Sequence, residues 1–191
     1  MTRRPLFITL MLAAMATAAE AHTGVGGMAG FAHGFVHPFN GPDHLLAMVA
    51  VGVFAANLGG RALWLVPATF VAMMAAGGVA GIYGFGLPYV EVAIALSVIV
   101  LGAVVAFNWK APVVAAMALA GFFAIFHGHA HGLEIPTATS AVSYAVGFIL
   151  ATATLHALGI GIARLAVPRC LAQIGGSATA LAGLGLLMGV L

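Results

Sequence analysis

Six long apolar segments, separated by breaks of only a few residues, constrain this chain more than any other feature of its sequence. Each segment is close to the roughly 20 residues that an α-helix needs to cross the core of a bilayer. The sequence therefore predicts an all-α integral membrane protein in which residues 22–191 form one domain. Its six transmembrane helices are predicted over about 42–58, 62–83, 89–107, 112–131, 139–163 and 171–190.

The low content of charged residues supports this prediction. Of 191 residues, 63% are hydrophobic and only 5% are charged, whereas a soluble domain averages about 25% charged residues. The few Lys and Arg residues are therefore interpreted as membrane topology signals and not as a nucleic-acid surface. The single cysteine, Cys170, excludes an intrachain disulfide and a cysteine-rich metal site.

Residues 1–21 have the three parts of a secretory signal peptide. Arg3 and Arg4 form a basic start, Leu6–Ala18 is apolar, and the last three residues (Ala-Glu-Ala) have the small-x-small form of a cleavage site. Cleavage would make His22 the mature N-terminus, where an amine and an imidazole together can chelate one metal ion. The alternative is an uncleaved first helix.

Residues 23–36 connect the signal peptide to the first predicted span and are rich in glycine. Glycine weakens helices, so we expect an irregular or re-entrant outer segment here rather than a full span.

The basic residues predict the orientation of the chain. A cleaved signal peptide leaves the mature N-terminus outside, and six spans then place the C-terminus outside as well. The first, third and fifth loops carry every Lys and Arg of the mature chain, namely Arg61, Lys110, Arg164 and Arg169, as the positive-inside rule requires of cytoplasmic loops. We therefore expect a multi-pass protein of a bacterial cytoplasmic (inner) membrane, with the lipid bilayer as a partner and no nucleic acid. The sequence predicts no oligomeric state.

A first polar cluster lies at the outer start of the first predicted span. It contains His37, Asp43 and His44, with His33 beside it as a weaker candidate. Charged and imidazole side chains are costly in a membrane helix, so their presence there indicates a function.

A second polar cluster lies at the end of the fourth predicted span, which also reaches the outer side. On a helix, His127, His131 and Glu134 are at positions i, i+4 and i+7 and share one face, whereas His129 points elsewhere. The predicted topology therefore brings two clusters that are distant in sequence to the same depth.

The chemistry of the two clusters indicates a metal ion. Imidazole and carboxylate without thiolate suit a borderline divalent ion such as Ni²⁺, Co²⁺, Zn²⁺ or Cu²⁺. A dication in a low-dielectric site needs compensating negative charge, which Asp43 and Glu134 are positioned to supply. Glu91, at the outer start of the third predicted span, is a weaker third source.

His156 stands apart from both clusters, beyond the midpoint of the fifth predicted span toward the cytoplasm. One interpretation is a second station for a metal ion or a proton. The other is a buried histidine that is hydrogen-bonded to a neighbouring carbonyl, to Thr152 or to Thr154.

Two motifs in these clusters resemble the signatures of the HupE/UreJ family. They are the spacing His37-x5-Asp43-His44 and the segment 126–134, Phe-His-Gly-His-Ala-His-Gly-Leu-Glu. The signal peptide and the His22-Thr23-Gly24 start of the mature chain are similar as well. The resemblance covers essentially the whole mature chain and implies a nickel, sometimes cobalt, permease that serves the maturation of hydrogenase or urease.

The resemblance also implies site residues. It assigns His37, Asp43 and His44 to the first motif and His127 and Glu134 to the second. His129 and His131 occupy variable positions of the second motif.

We therefore expect secondary transport of a divalent transition-metal ion into the cytoplasm, with Ni²⁺ favoured and Co²⁺ or Zn²⁺ as alternatives. No Walker motif is present, so ATP hydrolysis by this chain is not expected. The rival functions are a membrane-embedded zinc-dependent hydrolase and a metal sensor or assembly partner. The expected metal ligands are His22, His37, Asp43, His44, His127, His131 and Glu134, with His33, His129 and His156 as less certain ligands.

Overall fold

A computed structural model describes residues 27–135, 140–165 and 169–191. Within these ranges the chain forms seven α-helices and no strand, which confirms the predicted all-α class. The helices are α1 (Gly27–Asn40), α2 (Pro42–Leu58), α3 (Ala62–Ile82), α4 (Val90–Ala106), α5 (Val113–Leu133), α6 (Ala141–Arg164) and α7 (Arg169–Leu187). The predicted signal peptide and His22 lie outside the described residues.

Four of these helices are long and apolar enough to cross a membrane: α3, α5, α6 and, within α7, Cys170–Leu187. Gly30–Asn40 of α1 and α2 meet the same criterion together, as a pair bent by 82°. The described residues thus contain four candidate spans, or five if the bent pair is one span. The third segment predicted from the sequence, about 89–107, forms α4, whose 17 residues rise only about 26 Å, short of the roughly 30 Å hydrocarbon core.

Of the two alternatives predicted before the first span, an irregular or a re-entrant segment, the irregular one is wrong from Gly27 onward, where the chain forms the 14-residue helix α1. Close packing against α6 offsets the weak helix propensity of glycine. A side chain at Gly34 would collide with the carbonyl oxygen of Tyr144, and one at Gly147 would collide with that of Phe31.

The bend between α1 and α2 occurs at Gly41, whose backbone is extended (φ −95°, ψ 117°) and which is followed by Pro42. Proline has no N–H to continue the hydrogen bonds of α1, but it is well tolerated in the first turn of a new helix. The chain therefore changes direction by 82° at this point and starts a new helix, α2, instead of continuing α1.

Glycines bring the helix backbones into direct contact along several pairs of helices. In the pair α3 and α5, a side chain at Gly128 would collide with the carbonyl oxygen of Met74, and one at Gly132 with that of Gly78. In the pair α2 and α6, the Cβ of a residue replacing Gly52 would lie 3.0 Å from the Cα of Gly159. Small residues of this kind allow close helix packing in lipid, and here they fix the position of α5 relative to α3 and of α2 relative to α6.

We expect Gly128→Leu to disrupt the packing of α3 against α5, because the added side chain has only the backbone of α3 to displace. Overpacking of this kind costs about 1–3 kcal/mol or more. The measurement is the yield and thermal stability of monodisperse protein in detergent. Gly161→Leu is the matched control, since Gly161 is helical and a Cβ there meets nothing within 4 Å. Equal losses in both variants would contradict the packing role of Gly128.

Candidate metal site

The two polar clusters predicted from the sequence meet in the structure. His37 lies in the last turn of α1, and His44 lies in the first turn of α2, directly after the bend. His127 and His131 lie in the last two turns of α5, and Glu134 follows the end of that helix. The bend between α1 and α2 and the close packing of α5 therefore bring these side chains together.

His44 lies at the centre of the cluster and is only 4% exposed. Its Nδ1 is 3.1 Å from Asp43 Oδ1, which also accepts the backbone N–H of His44 at 2.8 Å. An ionised carboxylate only accepts hydrogen bonds, so the proton of a neutral His44 ring is on Nδ1, which donates to Asp43. The lone pair of the ring is then on Nε2.

Ser97 of α4 determines the tautomer of His127. Ser97 Oγ is 2.6 Å from the carbonyl oxygen of Ile94, and a carbonyl only accepts, so the hydroxyl donates its proton there. The oxygen of Ser97 then accepts a hydrogen bond from His127 Nε2, 2.7 Å away. The lone pair of a neutral His127 ring, which is fully buried, is therefore on Nδ1.

Glu134 orients the third buried histidine. Its Oε2 is 3.1 Å from His131 Nδ1, and this hydrogen bond lowers the pKa of the Glu134 carboxyl. The ionised carboxylate accepts the Nδ1 proton of a neutral His131, which leaves the lone pair of that ring on Nε2.

The three lone pairs converge inside the protein. His44 Nε2 is 2.8 Å from His127 Nδ1 and 2.5 Å from His131 Nε2. Nitrogens without protons cannot hydrogen-bond to one another, so a cation, either a shared proton or a metal ion, would stabilise this arrangement. Metal-bound histidines characteristically donate their other ring N–H to a carboxylate or a similar acceptor, as all three do here.

A second group of potential ligands lies at the more exposed side of the cluster. His37 Nε2 is 3.3 Å from Glu134 Oε2, and the two side chains are 35% and 55% exposed. One ligand atom each from His37, His131 and Glu134 lie within 4.8 Å of one another. Because His131 belongs to both groups, the exposed and the buried ligands form one continuous path.

A cavity of about 170 Å³ opens beside these ligands. Its lining includes the three acidic residues of the described chain, Asp43, Glu91 and Glu134. A water molecule takes about 30 Å³ in the liquid, so the cavity has room for a cation and several waters. The carboxylates supply the negative charge that a dication needs in such a site.

Two other candidate histidines lie outside this cluster. His33 is exposed on α1, one turn before His37. His129 is buried, but its Nε2 is 2.6 Å from the carbonyl oxygen of Phe85, so it points away from the cavity, as its place on the helix predicts. His129 therefore connects α5 to the segment after α3.

His156 is buried away from the cavity, and no side-chain or carbonyl partner for either ring nitrogen is present among the described residues. The predicted alternative of a hydrogen-bonded histidine is therefore wrong for this part of the chain. Thr152 donates instead to Met74 Sδ at 3.6 Å, and Thr154 donates to the carbonyl oxygen of Leu150 at 2.8 Å.

Ser97 was missed by sequence reasoning, although a signal for it exists. It is the one hydroxyl residue inside Val90–Ala106, which is apolar after Glu91, and serine side chains in membrane helices hydrogen-bond across to neighbouring helices. Its partner could not be identified, because the sequence does not say which face of this helix meets His127.

Comparisons with known proteins give two results. A family model described as "HupE / UreJ protein" matches residues 10–188. Among curated proteins, "Protein HupE" of Rhizobium leguminosarum bv. viciae is 52% identical over 186 residues, which cover 95% of this chain and 97% of that protein. No solved structure gives a significant match.

We expect Ser97→Ala to lower the affinity of the purified protein for Ni²⁺ by about 10- to 100-fold, the usual effect of removing the partner that orients a metal-bound histidine. Ni²⁺ binding is measured by equilibrium dialysis in detergent. Ser177→Ala is the control, because exposed Ser177 only donates to the backbone of its own helix. Unchanged affinity in Ser97→Ala would contradict a role of His127 in metal binding.

Proposed function

The chain belongs to the HupE/UreJ family, and from this membership and the converging histidines we propose that it is a secondary permease for Ni²⁺ or Co²⁺. The family is associated with nickel and cobalt transport. The permease imports the metal into the cytoplasm, where it serves the maturation of a hydrogenase or a urease. The metal ion is the transported substrate and not a resident cofactor.

We further propose a topology of six spans after a cleaved signal peptide. The bent pair of α1 and α2 counts as one span, and α4 as another, because a short helix is accommodated by local thinning of the bilayer at modest cost. With both mature termini outside the inner membrane, Arg61, Lys110 and Arg164 face the cytoplasm, in agreement with the positive-inside rule.

The observation that carries the transport proposal is the convergence of three imidazole lone pairs, on His44, His127 and His131, beside a cavity lined by carboxylates. Imidazole nitrogen with carboxylate oxygen is the ligand set of a borderline divalent ion. A proton shared between two rings would use only two of the three lone pairs and none of the acidic residues. A dication uses all of them.

The solvent exposure of the proposed ligands supports entry of the metal ion from the exposed side of the cluster. The metal first meets His37 and Glu134, which are 35% and 55% exposed, and then His44 and His127, which are 4% and 0% exposed. Water is exchanged for protein ligands in steps along this path, so the cation is never without coordination.

The driving force follows from charge. An inside-negative potential contributes about 2.3 kcal/mol per charge per 100 mV, and therefore about twice that for a dication. This potential, together with capture of the metal in the cytoplasm, drives import without ATP.

One observation favours the alternative of a membrane-embedded zinc-dependent hydrolase. An apolar cavity of about 140 Å³ lies between α3, α5 and α6, and its lining includes His131, Tyr144 and Phe148. A metal at His131 would adjoin a groove with the chemistry of a lipid chain or an apolar peptide. Metal binding without uptake would favour this function.

We expect His37→Ala and Asp43→Ala to reduce ⁶³Ni²⁺ uptake into expressing cells at least tenfold, because each variant removes an entry ligand or the group that orients His44. Uptake is measured at equal membrane expression, with Co²⁺ and Zn²⁺ as competitors. His33→Ala is the matched control, since His33 is an exposed histidine one turn from His37 and should leave uptake unchanged.

Normal uptake in both His37→Ala and Asp43→Ala would contradict the assigned entry site. No uptake by the wild-type chain, with Ni²⁺ or Zn²⁺ bound by the purified protein, would reject the permease. Assays of hydrolysis would then follow.

A further inference from the structure

A second polar site lies deeper in the protein, between α3 and α6. His156 is 2% exposed, and in the part of the chain that the structure describes both of its ring nitrogens lack a hydrogen-bond partner. A buried polar group without a partner is costly, and an ionisable side chain within a membrane span indicates an ion pathway by default. Apolar packing alone therefore does not explain why a histidine is present at position 156.

Two pairs of side chains, each one helical turn apart, face one another around His156. Phe70 and Met74 of α3 lie opposite His156 and Thr152 of α6. The ring centroids of Phe70 and His156 are 5.1 Å apart, and Thr152 Oγ1 is 3.6 Å from Met74 Sδ. All four residues are at most 2% exposed. An imidazole, a thioether and a hydroxyl thus share one buried patch.

Phe70 also connects this patch with the outer cluster. Its ring centroid is 6.0 Å from that of His127 and 5.1 Å from that of His156. His127 is the most deeply buried member of the outer cluster. One aromatic ring therefore separates the innermost outer ligand from the unpaired histidine.

We propose that His156, with Met74 Sδ and Thr152 Oγ1, is an inner binding station for the transported cation. This inference rests on the proposed permease function. The ligand is a borderline to soft divalent cation, since imidazole and thioether are the donors. The Phe70 ring is the barrier between the two stations, and its displacement lets a cation pass from His127 to His156. Attraction between a cation and the ring face lowers the cost of that passage.

The first test compares ⁶³Ni²⁺ uptake by proteoliposomes that contain the wild-type chain or His156→Leu. We expect uptake to fall at least tenfold, while equilibrium dialysis in detergent shows Ni²⁺ affinity at the outer cluster within twofold of wild type. Leu155→Ala is the matched control: it removes a fully buried side chain from the same turn of α6 but no nitrogen, and uptake per folded protein should stay within twofold. Wild-type uptake by His156→Leu overturns the inner station.

A second variant separates metal binding from a structural role. His156→Cys places a thiol at the same position, which loses its proton when it binds a soft cation, so we expect the ratio of Cd²⁺ to Ni²⁺ uptake to rise at least tenfold over wild type. The exposed native cysteine, Cys170, is present in both proteins. An unchanged ratio would mean that the residue at position 156 does not contact the cation, and it would overturn the proposal.

A third variant tests the station even if substitutions of His156 fail to fold. Met74→Leu with Thr152→Val replaces two interacting polar partners by apolar groups of similar shape, which is often nearly neutral for stability. We expect Ni²⁺ uptake to fall at least fivefold with unchanged affinity at the outer cluster. Unchanged uptake in this variant overturns the station as assigned. Failure of the wild-type protein to take up Ni²⁺ would instead reject the permease function itself.

Discussion

The structure depends on one arrangement of hydrogen bonds: each of three buried histidines donates a ring N–H outward, to Asp43, Ser97 or Glu134. These donors fix the tautomers, so the remaining lone pairs face one another. Three neutral nitrogens in contact repel one another electrostatically. The arrangement is therefore a candidate ligand set that a bound cation would stabilise, and it needs a scaffold that prevents the rings from separating.

The scaffold is provided by contacts between backbones. The last two turns of α5, which contain His127 and His131, are held against α3 by Gly128 and Gly132, where α5 has no room for a Cβ. Two helices that pack through larger side chains can rotate or separate by small steps, because side chains can change rotamer. Direct contact between backbones leaves α5 fewer alternatives, and this explains why Gly128 directly follows His127 and Gly132 directly follows His131.

The sequence predicted the two clusters because membrane helices contain few polar residues, so each cluster stood out and topology placed both on one side. The periodicity of a helix also predicted that His129 points away from the others. Contacts between helices could not be predicted in the same way. That Ser97 meets His127, and that Phe70 lies between His127 and His156, depends on the rotation of each helix about its axis, which the uniformly apolar surfaces of these helices do not encode.

The predicted fold differs from the structure in the segment before the first span. The glycines before the first span indicated an irregular segment, yet α1 is helical because Gly34 and Gly147 allow it to pack closely on α6. In this segment close packing outweighed average propensity.

The distribution of negative charge gives the two proposed stations different roles. All three acidic residues of the described chain line the outer cavity, whereas the donors around His156 are neutral. The outer station therefore compensates the charge of a dication and holds it strongly, and the inner station holds it weakly. Transport requires binding that is favourable enough for entry and weak enough for release. A strong site followed by a weak one, with the membrane potential lowering the energy of the cation inward, meets both requirements.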